Sequence, residues 1–243
     1  MAILMNSAFP KASPAGQAIL RLHPRLTARL PLSPPRRNLA QPREFKGSGD
    51  YLSLADRDDW WFNNQDFTIE CWFRTNSGST RQGILCQRID DNNLWRLEYD
   101  GVTPQFYFDE YSGGIEINLI SSGSWQAVVN TWYHCAVVRS GNIYYLFING
   151  NLLATSTNSL AQNNIGSVLY IGVSYRPTGI IDYFNGYLDE FRISKGIARW
   201  TSNFTPPSAP YDVDTTPPTV SSTSPASSAT GVGVSSAISA TFS

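Results

Sequence analysis

The strongest constraint on the fold is a series of short apolar segments separated by turn-forming residues. Three of them, Tyr133–Arg139, Ile143–Ile148 and Leu152–Ser156, are joined by Ser140-Gly141-Asn142 and by Asn149-Gly150. Asn-Gly favours a two-residue hairpin because both central residues of that turn need a positive φ. This stretch therefore predicts a three-stranded antiparallel meander.

The same pattern of short apolar segments separated by turn-forming residues extends over most of the chain. In Phe67–Arg74, the residues Phe67, Ile69, Cys71 and Phe73 alternate and fall on one face. No segment keeps a helical period for three turns. Further segments of the strand type are Gln82–Ile89, Leu94–Tyr99, Gln105–Phe108, Ile115–Ile120, Val168–Ile171 and Tyr183–Ile193. About ten short strands with turn signals between them predict an all-β sandwich or barrel.

Composition excludes several classes of protein. Only 15% of the residues are charged and 42% are apolar, which argues against a coiled coil and against a charge-rich disordered protein. No apolar run approaches the ~20 residues of a membrane helix, so we expect no membrane insertion. Residues 1–44 hold seven basic residues and one acid, which leaves 11 basic and 18 acidic residues in 45–243 from totals of 18 and 19. An acidic body makes nucleic acid an unfavourable partner.

The two ends of the chain differ from its middle in amino-acid composition. Residues 1–44 contain seven prolines and are rich in arginine, which predicts a disordered leader. This leader lacks the apolar core of a secretory signal; a transit peptide, a linker and a start codon placed too far upstream remain open. Residues 212–243 begin as a Pro-punctuated linker, and Thr219–Val234 followed by Ile238–Phe242 resembles the first two strands of another β-domain. We therefore expect a leader (1–44), one β-domain (45–211) and a partial second module (212–243) of a longer, multi-domain chain.

Six motifs occur in an order that resembles a known family. They are Phe45–Leu52, Asp66–Phe73, Trp132–Arg139, Tyr145–Gly150, Gly186–Ser194 and Ala198–Thr201. Together they resemble the laminin-G-like, concanavalin A-like lectin/glucanase superfamily over about residues 45–211, and residues 215–243 resemble the start of a bacterial Ig-like domain. The resemblance implies a jelly-roll of two antiparallel sheets. The aromatic residues expected to fill the gap between the sheets are Trp72, Phe73, Trp95, Trp132, Phe147 and Phe191.

Catalysis has little support in the sequence. Glucanases of the resembled fold place acids in a Glu-x-Asp-x-x-Glu strand pattern, whereas the acidic pair on a strand here is Asp189-Glu190, whose members are expected to face opposite ways. His134 and Cys135 are also neighbours on a strand, so they do not form a nucleophile–base pair. We therefore predict that the protein is not an enzyme, with a glycoside hydrolase as a less favoured alternative.

The cysteines Cys71, Cys86 and Cys135 lie far apart, in apolar segments without zinc-ligand spacing. Buried free thiols are the preferred interpretation. One disulfide plus one spare thiol is the alternative.

The resemblance also implies one structural calcium ion, because many domains of the family hold calcium between the opening loop and a late strand. The corresponding residues here are Asp50 and Asp189, aided by backbone carbonyls. Lys46 replaces the aspartate that usually opens the first motif, which would weaken such a site. The alternative is that both carboxylates accept local backbone hydrogen bonds.

The favoured function is non-catalytic carbohydrate binding or adhesion, because exposed aromatic rings next to amides and carboxylates suit sugars. The candidate rings in loops are Trp60, Trp61, Tyr111, Trp125 and Tyr175. The competing hypothesis is a structural or protein-binding spacer module without glycan affinity. The expected partner is a glycan or a surface protein, and the expected location is extracellular, on a cell surface or in a virion such as a phage tail.

Overall fold

The computed structural model describes residues 17–19, 42–176, 179–209, 211, 220–226, 228–231, 233 and 239–242. Two antiparallel sheets, A and B, enclose an apolar core, and the all-β prediction is confirmed. A single short 3₁₀ turn, Asp58–Trp60, interrupts the strands of this described part. The chain divides into two compact units, residues 1–211 and 212–243.

Sheet A contains the long central strands of the first unit. In spatial order its strands are β1 (Gln17–Ile19), β15 (Asn185–Lys195), β4 (Phe67–Thr75), β9 (Trp132–Ser140), β10 (Ile143–Ile148) and β11 (Asn151–Thr157), and β2 (Arg43–Lys46) also pairs with β15. The meander predicted from the turn residues is β9–β10–β11. Asn149 and Gly150 have φ values of 51° and 74° in its second turn, as that turn requires.

Sheet B packs against sheet A through the shared core. In spatial order its strands are β3 (Leu52–Leu54), β12 (Leu169–Ile171), β5 (Arg81–Asp90), β6 (Asn93–Asp100), β7 (Gln105–Ser112) and β8 (Ile115–Ser121). Two hairpins lie outside both sheets: β13 (Ser174–Arg176) with β14 (Gly179–Ile181), and β16 (Val220–Ser224) with β17 (Ser239–Phe242). The second hairpin contains the two strands predicted in the tail.

The core between the sheets follows the alternation of the strands. Phe67, Ile69, Cys71 and Phe73 are each at most 1% exposed. Of the aromatic residues expected in this core, Phe73, Trp95 and Phe191 are there. The expectation is wrong for Trp72, Trp132 and Phe147, which lie on the outer face of sheet A because strand alternation directs them away from sheet B.

Residues 197–209 and Tyr211 pack on the outer face of sheet A. Trp200 and Phe204 stack with ring centroids 3.7 Å apart, and Phe204 packs edge-on against the buried Phe147 at 5.2 Å. The Phe204 N–H donates to the Gly150 carbonyl at 2.9 Å. A Cβ at Gly150 would lie 1.8 Å from the Phe204 oxygen, so this close approach requires glycine.

The predicted leader is only partly described. Residues 1–16 and 20–41 lie outside the described residues, so the prediction of disorder stays untested for them. Gln17–Ile19, however, pairs with Arg192–Ser194 of β15, and Arg43 and Glu44 belong to β2. These pieces correct the prediction of a leader that is disordered up to residue 44, because the edge of β15 offers unpaired backbone groups to any extended segment.

Candidate functional site

A groove of about 360 Å³ lies on the outer face of sheet B. Strands β6, β7 and β8 supply most of its surface through alternate residues that point away from the core. Its lining residues are Arg81, Asp91, Leu94, Arg96, Asp100, Gln105, Tyr107, Asp109, Tyr111, Glu116 and Asn118. It is thus a mixed surface of aromatic, amide and charged groups.

The register of the strands brings complementary groups together across the groove. Arg96 of β6 lies opposite Asp109 of β7, which in turn lies opposite Asn118 of β8. Tyr111 lies opposite Glu116 in the next row. Directly opposed side chains on one face of an antiparallel pair are close enough to interact. The floor of the groove therefore consists of side chains that are paired across the neighbouring strands β6, β7 and β8.

The Arg96–Asp109 pair is a buried, bidentate charged contact of the floor. Nε of Arg96 donates to Asp109 Oδ1 at 2.8 Å, and Nη2 donates to Oδ2 at 2.8 Å. The two side chains are 8% and 1% exposed. Burial raises the pKa of the Asp109 carboxyl to about 6, against the lowering effect of Arg96, so both partners are charged at neutral pH.

A second buried contact lies next to this pair. The Tyr107 hydroxyl donates to Glu98 Oε2, and Glu98 is inaccessible to solvent. Burial and the adjacent Glu98 carboxylate raise the pKa of Tyr107 far above its ordinary value. The Arg96 guanidinium lies 5.7 Å from the Tyr107 ring centroid and 5.4 Å from that of Tyr111. Arg96 is thereby fixed between two aromatic rings and a carboxylate.

The structure does not bring the five predicted aromatic residues together. Trp60 is 5% exposed and donates from its indole nitrogen to the Ala55 carbonyl at 3.2 Å. Trp125 packs on the end of the core, with ring centroids 5.2 Å from Tyr133 and 6.1 Å from Tyr99. That these two rings bind a ligand stays a prediction that this packing does not favour.

Two of the remaining candidates have different surroundings. Trp61 is partly buried and donates to the Gln162 carbonyl at 3.0 Å, so it anchors the loop in which it lies. Tyr111, which the sequence assigns to a loop, is a strand residue of the groove and is partly exposed. The backbone of Tyr175 belongs to β13, and its side chain lies outside the described residues.

Sequence reasoning missed most of the groove. Arg96, Tyr107, Glu116 and Asn118 were not singled out from the sequence. The available signal was polar or charged residues at every second position of two consecutive strands. These residues are Arg96, Glu98 and Asp100 in β6 and Gln105, Tyr107 and Asp109 in β7.

The argument that Asp189 and Glu190 face opposite ways needs correction. A bulge between Asp189 and Arg192 interrupts the alternation, and Glu190 adopts a φ of 47°. Glu190 Oε2 accepts the Tyr211 backbone N–H at 2.6 Å, and Tyr211 lies over the face that carries Asp189. The two carboxylates therefore share a face, although both are at least 94% buried.

His134 belongs to a buried network of polar side chains. It is fully buried on the outer face of sheet A, and its Nε2 lies 3.1 Å from Glu70 Oε2. The same carboxylate accepts the Tyr211 hydroxyl at 2.7 Å, and Glu70 Oε1 accepts Arg192 Nε at 2.7 Å. Burial opposes ionisation of Glu70, but these donors hold the pKa of its carboxyl below the ordinary value. Cys135 points into the core instead.

The three cysteines are free thiols, as preferred from the sequence. Cys71 and Cys135 are directly opposed on β4 and β9, with their sulfur atoms 3.5 Å apart. Burial raises the pKa of the Cys71 thiol well above its ordinary value.

The calcium site implied by Asp50 and Asp189 stays a prediction that the geometry does not favour. Lys46 pairs with Asn185 at one end of the β2–β15 ladder, and Asp50 Oδ2 accepts the Lys46 N–H at 3.3 Å. Asp189 lies beyond Leu188 at the other end of this ladder, and its Oδ1 accepts the Glu190 N–H. The two residues therefore do not fit a shared ion. No group of three or more histidine, cysteine or acidic side chains suited to a metal occurs among the described residues.

Residues 46–199 match the concanavalin A-like lectin/glucanases superfamily. The chain belongs to this superfamily. Residues 214–243 of this superfamily member match a bacterial Ig-like domain. No curated protein matches the sequence.

Solved structures share the superfamily fold. A candidate carbohydrate-binding protein from Bacteroides ovatus is 22% identical over 69% of this chain and 46% of its own, with a TM-score of 0.50. The CBM40 module of a Ruminococcus gnavus IT-sialidase is 15% identical over 67% of this chain and 95% of its own, also with a TM-score of 0.50. Domains LG4-5 of the mouse laminin alpha1 chain are 18% identical over 72% of this chain and 44% of theirs, with a TM-score of 0.49. At these identities the likeness concerns the fold alone.

Proposed function

We propose that this protein is a non-catalytic carbohydrate-binding module that holds a glycan in the groove on sheet B. The observation that carries the proposal is the partly exposed ring of Tyr111, with the Gln105 and Asn118 amides and the Glu116 carboxylate lining the same groove. A sugar presents an apolar ring face and a rim of hydroxyls, which suit an aromatic side chain and polar groups respectively.

Membership of the superfamily supports this proposal without deciding it, because one fold hosts many functions. A module described as a CBM40 and a candidate carbohydrate-binding protein are among the structures that share the fold. Neither identifies a ligand for this chain. The groove has to be judged on its own side chains.

The buried carboxylates of the groove support a binding role over hydrolysis. A retaining glycosidase needs one carboxylate free to attack the sugar and a second one to protonate the leaving group. Asp109 is held by two Arg96 nitrogens, and Glu98 accepts the Tyr107 hydroxyl. A carboxylate held in this way is a poor nucleophile. We expect binding without cleavage of the glycan.

The module would act as part of a secreted, cell-surface or phage-tail protein. Its match to a bacterial Ig-like domain after residue 213 suits a modular parent chain. Within the part of the chain that the structure describes, no helix has the length and apolar character needed to cross a bilayer.

The test is a glycan array probed with the full chain, followed by hydrogen exchange in the presence of the best ligand. We expect selective protection of backbone amides in residues 93–121, which form β6, β7 and β8, and no release of reducing ends on long incubation. Protection confined to the loop around Trp61 would place the ligand elsewhere and refute the groove.

A spacer module that binds protein or nothing is the second candidate. The observation in its favour is that Trp60 and Trp125 are used in packing, so that these two loop rings are not free to form an aromatic rim. Absence of any glycan signal from a correctly folded chain would favour this candidate.

A further inference from the structure

The charges around the groove on sheet B restrict the class of glycan that can enter it. Four carboxylates line the groove, from Asp91, Asp100, Asp109 and Glu116, against the two guanidinium groups of Arg81 and Arg96. We infer that the groove selects uncharged oligosaccharides and rejects glycans that carry a carboxylate or sulfate. This inference rests on the proposed function and specifies its substrate class.

Arg96 is not available as an anion receptor. Its Nε and Nη2 donate to both oxygens of Asp109 in a bidentate pair, and the Tyr107 and Tyr111 rings enclose its guanidinium. An acidic sugar that bound Arg96 would have to displace Asp109. That would leave a 1% exposed carboxylate without its counter-ion, which is unfavourable in a desolvated site.

Arg81, whose side chain is 34% exposed, pairs with Asp100 at the other end of β6. Its Nε lies 2.9 Å from Asp100 Oδ2, and the Asp100 side chain is 1% exposed. Asp100 Oδ1 also accepts the backbone N–H groups of Val102 at 2.9 Å and Thr103 at 3.1 Å. These bonds tie the carboxylate to the turn, so it stays beside Arg81 and offsets the charge of the guanidinium.

The remaining charges of the groove are negative. Glu116 is exposed and Asp91 partly exposed. Arg88 pairs with Asp91, but Glu98 adds a further buried carboxylate beneath the floor. Like charges held in a partly desolvated groove repel an anion more strongly than they would in water. Hydroxyl groups, in contrast, donate well to carboxylates, so the same residues favour a neutral sugar.

The test compares matched ligands on the full chain. Neutral oligosaccharides and versions of the same oligosaccharides carrying one uronic or sialic acid are titrated calorimetrically at low and high salt. We expect each neutral ligand to bind at least about tenfold more tightly than its acidic partner, with the gap narrowing as salt screens the charges.

Two variants test whether the groove is responsible for the difference in affinity between neutral and acidic oligosaccharides. Glu116→Gln removes an exposed carboxylate of the groove and should raise the affinity for the acidic ligand relative to the neutral one. Glu44→Gln is the matched control on sheet A, where the Glu44 carboxylate accepts the Tyr187 hydroxyl, and should leave the ratio unchanged. Both substitutions are at exposed positions, so they should not affect folding.

The outcomes separate the two claims. Acidic ligands that bind at least as well as neutral ones, and lose affinity in Asn118→Ala, would overturn the charge selection while leaving glycan binding intact. No binding of either class would overturn the proposed function, and the charge selection with it.

Discussion

Arg96 and Asp109 face each other on adjacent strands of sheet B, with Nη2 of the arginine 2.8 Å from Oδ2 of the aspartate. Both side chains are buried. The pair therefore joins β6 to β7 and forms the floor of the groove.

The first prediction concerns the removal of one partner of this pair. Asp109→Ala removes the bidentate partner of Arg96 and leaves it only the more distant Glu98 carboxylate, 3.8 Å away, so we expect the free energy of unfolding to fall by about 3 kcal/mol. Urea denaturation followed by tryptophan fluorescence measures this loss. The double variant Arg96→Met/Asp109→Leu should recover most of it. Equal losses in the single and the double variant would show that packing, not charge, accounts for the effect.

The second prediction concerns Glu110, which faces the interior and accepts the Asn163 N–H at 2.9 Å. Burial raises the pKa of the Glu110 carboxyl from 4.5 to about 7. Between these two values the folded protein retains a proton that the unfolded chain has lost, so the contribution of Glu110 to stability falls as pH rises.

Glu110→Gln should therefore raise the free energy of unfolding at pH 8, by up to about 3 kcal/mol, and have little effect below pH 4.5. The glutamine oxygen can still accept the Asn163 N–H. Denaturation curves across this pH range provide the measurement. A gain that does not change with pH would contradict the assignment.

The third prediction follows from the burial of all three thiols. A chromogenic disulfide reagent should react with almost no thiol in the native chain and with three thiols after denaturation without reductant. The raised pKa of Cys71 adds to this protection, because the thiolate is the reactive form. A count of one thiol after denaturation would show that the other two cysteines form a disulfide. Cys71 and Cys135 would be its partners, because their sulfur atoms face each other.

The fourth prediction tests how the segment at residues 197–211 is held on sheet A. Gly150→Ala places a Cβ against the Phe204 carbonyl at a φ of 74°, so we expect a loss of stability of more than about 1 kcal/mol and faster proteolysis of the segment. Gly141→Ala is the matched control, since its φ is 58° and no atom lies within 4 Å of the added Cβ. Equal losses in the two variants would mean that backbone strain alone is responsible.

The sequence predicted the β-sandwich because strand alternation and turn residues, the patterns that indicate it, each depend only on residues close together in the chain. The alternation of Phe67, Ile69, Cys71 and Phe73 and the Asn149-Gly150 turn each act within one or two strands. The bulge at Glu190 was not predictable, because only the pairing with β4 reveals the extra residue.

The groove on sheet B could not be predicted, because it depends on strand register and on tertiary packing, which a single sequence does not show. Arg96 and Asp109 are 13 residues apart, and their contact depends on the register of two strands. Conversely, the sequence indicated that Trp60 and Trp125 were free to bind a ligand, because they lie outside long apolar runs. In the structure the apolar core extends to both of them. Exposure of a large ring is a tertiary property, and strand alternation does not determine it in loops.

The most direct test of the central claim measures glycan affinity in two variants that remove one ring each. Isothermal titration of the full chain with the best glycan from the array is compared for Tyr111→Ala, inside the groove, and Trp61→Ala, in the loop that bonds Gln162. Melting curves establish that both variants are folded. We expect Tyr111→Ala to lose at least about tenfold in affinity and Trp61→Ala to bind like the unaltered chain. Unchanged binding in Tyr111→Ala, with loss in Trp61→Ala, would contradict the groove as the glycan site.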